Sequence, residues 1–146
     1  MARCLDCGYP CTYDVNSPSC PACGSLWREA IFDYPAIADQ WRNGFTTLEF
    51  DLWRYLDLLP IHEFDTSLRL GEGGTPLLHA RHLGTMLGNP NIFIKDERQN
   101  PTNSFKDRQA SVSVAAYVEG NITELVCCST GNVAISYSAY AARAGI

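Results

Sequence analysis

Lysine is almost absent from this 146-residue sequence: Lys95 and Lys106 are its only two. With 11 Lys and Arg against 16 Asp and Glu, it builds no basic patch for a nucleic-acid backbone, which argues against a nucleic-acid partner. No apolar run reaches transmembrane length, so a membrane-spanning helix is not expected. The opening residues, MARCLDCGYPC, put cysteines where a secretory leader would have its apolar core. A cytoplasmic protein without a membrane partner is the reading, and there cysteines are metal ligands more often than disulfides. The P-loop and the G-x-G-x-x-G turn are missing too, so neither common phosphate loop is present. What acidity there is lies in the middle: residues 1–28 are neutral, 29–72 carry −6 and 73–146 carry +1.

The cysteines come first. Cys4–Cys7 and Cys20–Cys23 are two C-x-x-C pairs, each followed by a glycine, Gly8 and Gly24. Four thiolates close a tetrahedral Zn²⁺ site, and the glycines allow the tight turns that aim backbone N–H groups at sulfur. A redox use of C-x-x-C is the other reading, but nothing nearby forms a βαβ unit. Cys11, the fifth, reads as a bystander. The apolar residues of this segment, among them Leu5, Val15 and Trp27, are too few to order it unaided, so structural metal and docking on the rest of the chain are both expected. Residues 1–28 are therefore read as a zinc ribbon with a structural role.

Residues 29–69 read as a helical connector. Phe45, Leu48, Leu52, Leu56 and Leu59 recur at three- and four-residue steps and the pattern ends at Pro60. Trp41, Trp53 and Tyr55 are expected as packing anchors rather than a ligand cage. His62 has no partner ligand nearby, and His79 with His82 would share a helix face; none of the three reads as a site. Gly71–Pro76 (GEGGTP), read alone, is a turn before a short strand.

The most informative stretch is Asn100–Arg108, NPTNSFKDR. Pro101 ends what precedes it, and Asn103 and Ser104 supply the turn and cap chemistry of a helix start. Ser104 with Asp107 is a near relative of the capping box. Gln109–Glu119 follows, rich in Ala, Val and Ser and free of Pro and Gly, as a buried helix. Lys106 thus falls in a first helical turn, where a cation is disfavoured by about 0.3–1 kcal/mol. That setting suits a lysine used for chemistry more than one used for solubility. Phe105 beside it reads as a pocket wall. Asn91–Lys95 and Glu124–Cys128 read as short buried strands, with Cys127 and Cys128 as small core residues. The second strand delivers Ser129–Asn132 (STGN) into a helix over Val133–Ala144. This strand–helix–strand–helix order indicates an α/β fold with a parallel sheet, whose ligands bind beyond the strand carboxyl ends.

NPTNSFKDR resembles the lysine motif of the fold-type II pyridoxal-phosphate enzymes, and among them that of the threonine synthases. LGEGGTPLL at Leu70–Leu78 and STGN followed by AYAARAGI agree with the same family in order and spacing. The resemblance covers the last two thirds of the chain. It implies a tryptophan synthase β-like parallel-sheet domain, here residues 70–146, and two cofactors, pyridoxal 5'-phosphate and structural zinc, since a ribbon precedes the catalytic domain in some members. It assigns the covalent hold on the cofactor to Lys106, a hydrogen bond to the cofactor's ring hydroxyl to Asn132, and the substrate carboxylate to Ser129, Thr130 and Gly131. It places Glu72 at the edge of the active site.

The implied reaction is that of a threonine synthase, a lyase of amino-acid biosynthesis that turns O-phospho-L-homoserine and water into L-threonine and phosphate. A small amino-acid substrate and a homodimer of the complete enzyme go with it. Two positions depart from the family: Asn103 stands where many members have Gly, and Val133 where many threonine synthases have Thr. The second keeps another β- or γ-replacement enzyme open, such as a cysteate synthase-like protein. A non-catalytic zinc-ribbon interaction module is the alternative of another class. The family's glycine-rich phosphate loop and its pyridine-nitrogen partner come after the equivalent of Ile146. The resemblance therefore implies an N-terminal portion of a longer enzyme, inactive alone.

Overall fold

The computed structural model describes residues 1–45 and 48–146, so Thr46 and Thr47, which fall within the expected connector, lie outside the described residues. At the N-terminus three short strands, β1 (Ala2–Cys4), β2 (Pro10–Cys11) and β3 (Arg28–Ala30), form an antiparallel sheet with β1 in the centre. Ala2 pairs with Cys11 on one side and Ala30 on the other. Arg3 faces Glu29 across the sheet and forms an ion pair with it, the kind of cross-strand match that fixes register.

The connector is helical in two pieces rather than one. Asp33 caps α1 (Tyr34–Gly44) by accepting from Ala36 N at 3.1 Å, and Pro35 sits in the first turn. The periodic residues beyond Phe45 do not continue this helix. Asp51 accepts from Trp53 N and Arg54 N and starts a separate 3-10 helix, Leu52–Leu58. Trp41 joins the two pieces: its ring stacks on Phe45 at 4.5 Å and its Nε1 donates to Asp57 at 2.8 Å. Leu48, expected on the apolar stripe, is exposed.

β4 (Leu77–His79), α2 (Arg81–Leu87) and β5 (Phe93–Lys95) follow, and β4 pairs with β5 antiparallel, Leu78 opposite Ile94. The expected parallel sheet does not form among the described residues, where β4–β5 is an antiparallel pair, and β5 is exposed rather than buried. Residues 124–128 form no strand, and Val126, Cys127 and Cys128 are exposed instead of filling a core. A strand exists through its ladder, and among the described residues no strand pairs with this segment; β-propensity alone does not hold it. His79 lies in β4 and His82 in α2, so they share no helix face; His79 stacks on Phe93 at 4.8 Å.

Two helices complete the fold, α3 (Lys106–Glu119) and α4 (Asn132–Ala144). α3 is the centre of the core. One side of it, Val112, Ala115 and Ala116, packs on Trp53, Ile61, Phe64 and Leu68, with the Trp53 and Phe64 rings stacked at 3.4 Å. Its other side, Ala110 and Val114, packs on Tyr140 of α4. A helix buried on two faces needs small residues all round instead of one apolar stripe, which accounts for its Ala, Ser and Val content. Among the described residues the architecture is mixed α/β with two small antiparallel sheets.

Candidate functional site

Local geometry at the lysine follows its sequence closely. Asn103 takes φ 60°, a left-handed conformation that asparagine tolerates best among non-glycine residues. Lys106 is the first residue of α3, and its N–H donates to Ser104 Oγ at 3.2 Å. The expected capping box is displaced, however. Asp107, fully buried, reaches back past Ser104 and accepts from Thr102 N at 2.6 Å and Thr102 Oγ1 at 2.5 Å. Thr102 Oγ1 also lies 3.0 Å from Ser136 Oγ in α4, so the lysine loop is tied to the second helix.

That bond sets the relation between the helices. Thr102 and Asp107 lie at the level of Ser136, Ser113 Oγ accepts from Tyr137 OH at 2.9 Å, and Ala110 and Val114 meet Tyr140. From Asp107 and Ser136 at the start to Val114 and Tyr140 further on, the packing advances along both helices, so α3 and α4 run in the same direction. Lys106 opens one helix and Asn132 opens the other. The STGN loop is therefore brought to the lysine's end of the pair. No hydrogen bond joins Lys106 to Ser129, Thr130, Gly131 or Asn132 among the described residues. Ser129 Oγ accepts from Gly131 N at 3.3 Å, while Thr130, Gly131 and Asn132 are exposed.

A polar network unseen in the sequence locks the surrounding loops. Arg108 donates to both Glu97 oxygens, at 2.7 and 2.9 Å, and to Thr75 Oγ1 at 3.2 Å. Thr75 donates to Glu97 at 2.6 Å, Asn100 donates to it at 3.0 Å, and Gly73 N donates to Asn100 Oδ1 at 3.0 Å. The Arg108 guanidinium, helped by Thr75 and Asn100, holds the Glu97 carboxyl down to about 2. Lys95 Nζ donates to the Thr75 carbonyl. The only signal for this network was the density of hydrogen-bonding residues in KDERQNPTNSFKDR.

Glu72 is the second such hub. It is fully buried and accepts from Trp53 Nε1 at 2.6 Å, Leu70 N at 2.9 Å and Tyr140 OH at 3.0 Å. Burial, with the Glu72 carboxylate beside it, drives the pKa of the Tyr140 hydroxyl far above its ordinary value. Through these bonds Glu72 joins the GEGGTP loop, the connector and α4.

Lys106 is the exception among these groups. It is half-buried, its Nζ lies 4.7 Å from the centre of the exposed Phe105 ring, and it has no ion pair among the described residues. An amine of this kind, at the common N-terminal end of two helices where positive potential favours anionic groups, fits a carbonyl-bearing, phosphorylated cofactor.

The second candidate site is the cysteine cluster. The sulfurs of Cys4, Cys7, Cys20 and Cys23 all lie within 4.8 Å of one another, with Cys4–Cys23 at 3.6 Å and Cys7–Cys20 at 3.7 Å. A tetrahedral centre with metal–sulfur bonds of about 2.3 Å sets its sulfurs about 3.8 Å apart, so the spacing fits zinc. Gly8 and Gly24, at φ 74° and 75°, turn the chain so that their N–H groups donate to Cys4 O and Cys20 O. The Cys7 N–H holds the Cys4 thiol down to about 6. Cys23 is pushed up to about 12: the Ser25 N–H favours its thiolate, but the crowded thiols of Cys7, Cys4 and Cys20 and burial outweigh it. Four thiolates this close repel one another unless a cation sits among them. Cys11 lies in β2, outside the cluster.

Comparison with known proteins agrees with the lysine-bearing half. The family described as pyridoxal-phosphate dependent enzymes matches residues 68–146. The chain is similar to the threonine synthase of Methanocaldococcus jannaschii, 40% identical over 148 residues covering 99% of this chain and 36% of that protein. The threonine synthase of Methanosarcina acetivorans is 33% identical over 144 residues, 99% of this chain and 35% of its own length. That of Mycobacterium tuberculosis is 45% identical over 92 residues, 63% of this chain and 25% of its own. The chain thus spans about a third of the length of the first two relatives. No solved structure matches it.

Proposed function

Since the chain belongs to the family of pyridoxal-phosphate dependent enzymes, we propose that it is the lysine-bearing part of a threonine synthase, converting O-phospho-L-homoserine and water to L-threonine and phosphate. Residues 1–28 form a structural zinc ribbon held by Cys4, Cys7, Cys20 and Cys23, residues 29–69 a connector, and residues 70–146 the catalytic portion. Metal-bound thiolates suit a reducing cytoplasm, and no helix of the described residues is long and apolar enough to cross a membrane.

Lys106 Nζ holds the cofactor and moves protons at the substrate's Cα and Cβ. Asn132 donates to the cofactor's ring hydroxyl. Ser129, Thr130 and Gly131 receive the substrate carboxylate with hydroxyls and free N–H groups at the head of α4. When bound, the cofactor supplies an electron sink for charge developing at Cα. The networks of Glu97–Arg108 and Asp107–Thr102–Ser136 keep the two helix starts fixed while the lysine side chain works.

One observation carries this reading: of two lysines, Lys95 has its amine engaged with the Thr75 carbonyl, while the Lys106 amine has no polar partner among the described residues. The test is borohydride reduction in the presence of pyridoxal phosphate, followed by peptide mass analysis. The label is expected on Lys106 and lost in Lys106→Ala; a label on Lys95, or on neither, overturns the assignment. Phosphate release from O-phospho-L-homoserine by the enzyme containing this chain separates a threonine synthase from another β- or γ-replacement enzyme.

A further inference from the structure

The segment between the two cysteine pairs leaves the ribbon and touches the lysine helix at its far end. Asn16 Nδ2 donates to the Gly120 carbonyl at 2.9 Å, and Gly120 is the residue that caps α3. Carbonyls in the last turn of a helix have no partner within it, so a donor from outside is a real gain there. Val15 packs against the cluster of Trp53, Ile61, Ala115 and Ala116, the last two on α3. A Cβ at Gly120 would overlap Val15 Cγ2 and lie 3.1 Å from Asn16 Nδ2. The backbone at Gly120, φ −80° and ψ 5°, is open to any residue, so the glycine is required by space alone. On its other side the helix end is held by Glu119, which accepts from His62 N and Glu63 N.

The strap itself has little of its own to hold it. Asn16 N donates to Asp14 Oδ1 at 2.8 Å and Ser17 N to Asp14 O at 3.3 Å, which makes one turn. Its ends are fixed by Cys7 and Cys20, whose sulfurs lie 3.7 Å apart. A metal joining these thiolates closes the intervening twelve residues into a loop and, with Pro10 and Cys11 already paired to β1, limits the freedom of the rest before they dock.

We infer that Val15 and Asn16 are positioning residues, a metal-held strap that grips the C-terminal end of α3 and through it sets the helix that begins with Lys106. This rests on the reading of the four cysteines as a zinc site. The grip and the lysine are the two ends of one 14-residue helix, about 21 Å long. A helix packed on two faces moves as a rod, so loosening one end is felt at the other.

The test uses the full chain, with thiols kept reduced, zinc-loaded or stripped by chelation, and zinc content measured on each sample. Amide exchange is followed along α3, and a pulse of acetic anhydride reads Lys106 against Lys95. Removing zinc is expected to speed exchange over residues 116–122 on the order of tenfold while leaving β4 and β5 unchanged, and to alter the Lys106 to Lys95 labelling ratio. Gly120→Ala should keep one zinc and reproduce both effects. Adding Val15→Ala to it should restore part of the protection, a reversal that general loss of stability would not give. If Gly120→Ala does not fold, Asn16→Ala, which only removes the donor, must raise the same exchange about fivefold. Protein that binds no zinc overturns the cysteine reading and the inference together. Zinc-binding protein whose α3 exchange and Lys106 labelling ignore both metal and variants overturns the inference alone.

Discussion

Replacing Glu72 should damage this protein more than removing any one of the three donors it accepts from. Its carboxylate accepts from Trp53 Nε1, Leu70 N and Tyr140 OH, and the residue is fully buried. Glu72→Ala strips all three donors and opens a cavity where water is excluded. Each stranded donor costs about 1–3 kcal/mol, and because the three share one acceptor the sum falls short of additive, at about 3–6 kcal/mol. Domains are stable by about 5–15 kcal/mol, so this variant should be close to unfolding. Tyr140→Phe removes one bond to a charged group and keeps the ring, at about 1.5–3 kcal/mol. Glu72→Gln falls between them, since its amide nitrogen must face either the Trp53 Nε1–H or the position that now accepts from both Leu70 N and Tyr140 OH. Urea titrations followed by far-UV circular dichroism give the three values, with the slope checked for constancy. Equal losses for Glu72→Ala and Tyr140→Phe, or a loss below about 1 kcal/mol for the former, would refute the hub argument.

Acid stability should depend on Glu97. Its carboxyl titrates near 4.5 when free and near 2 in the fold, so its contribution is complete above about 4.5 and is lost as pH falls toward 2. Glu97→Gln should flatten the stability profile in that window, leaving the smaller part from Asp96, which the Arg98 guanidinium holds to about 2. Asn103 at φ 60° should tolerate Gly with little change in Tm, whereas Asn103→Val should cost about 1–2 kcal/mol. Zinc content should survive Cys11→Ser and drop in Cys7→Ser; loss of zinc with Cys11 would break the ligand assignment.

What was legible in the sequence is what one short stretch decides by itself. The knuckles around Cys4 and Cys20 are local turns with glycine at positive φ, and the helix that starts at Lys106 is announced by Pro101, Asn103 and Ser104. Harder cases needed a partner that the sequence does not name. Residues 124–128 look like a strand because apolar β-formers look alike whether or not a neighbour pairs with them. The leucine period from Phe45 to Leu59 looked like one helix, but Asp51 accepts from Trp53 N and Arg54 N and starts a second, 3-10 segment instead. The resemblance places Glu72 at the edge of a site, but nothing in its loop announces the buried hub it forms. Its buried partners, Trp53 and Tyr140, lie 19 and 68 residues away.

The two lysines show why position in the motif is a better guide than residue type. An amine that donates to a carbonyl, as Lys95 does to Thr75, is held in one geometry and serves the backbone. Lys106 keeps its rotamer freedom, worth up to about 2 kcal/mol for a long side chain, because its neighbours spend their polar groups elsewhere. Ser104 accepts from its N–H, Asp107 turns to Thr102, and Arg108 turns to Glu97 and Thr75. Each of these bonds stiffens the backbone that carries the lysine and leaves its amine uncommitted. A carboxylate within reach would have ended that: pairing would fix the side chain and hold the amine protonated, the form that cannot attack a carbonyl. Moving an acid next to it, as in Phe105→Asp, should therefore suppress borohydride-trapped cofactor at Lys106 while Phe105→Leu preserves it. Equal trapping in the two variants would mean that the freedom of this amine is incidental to its chemistry.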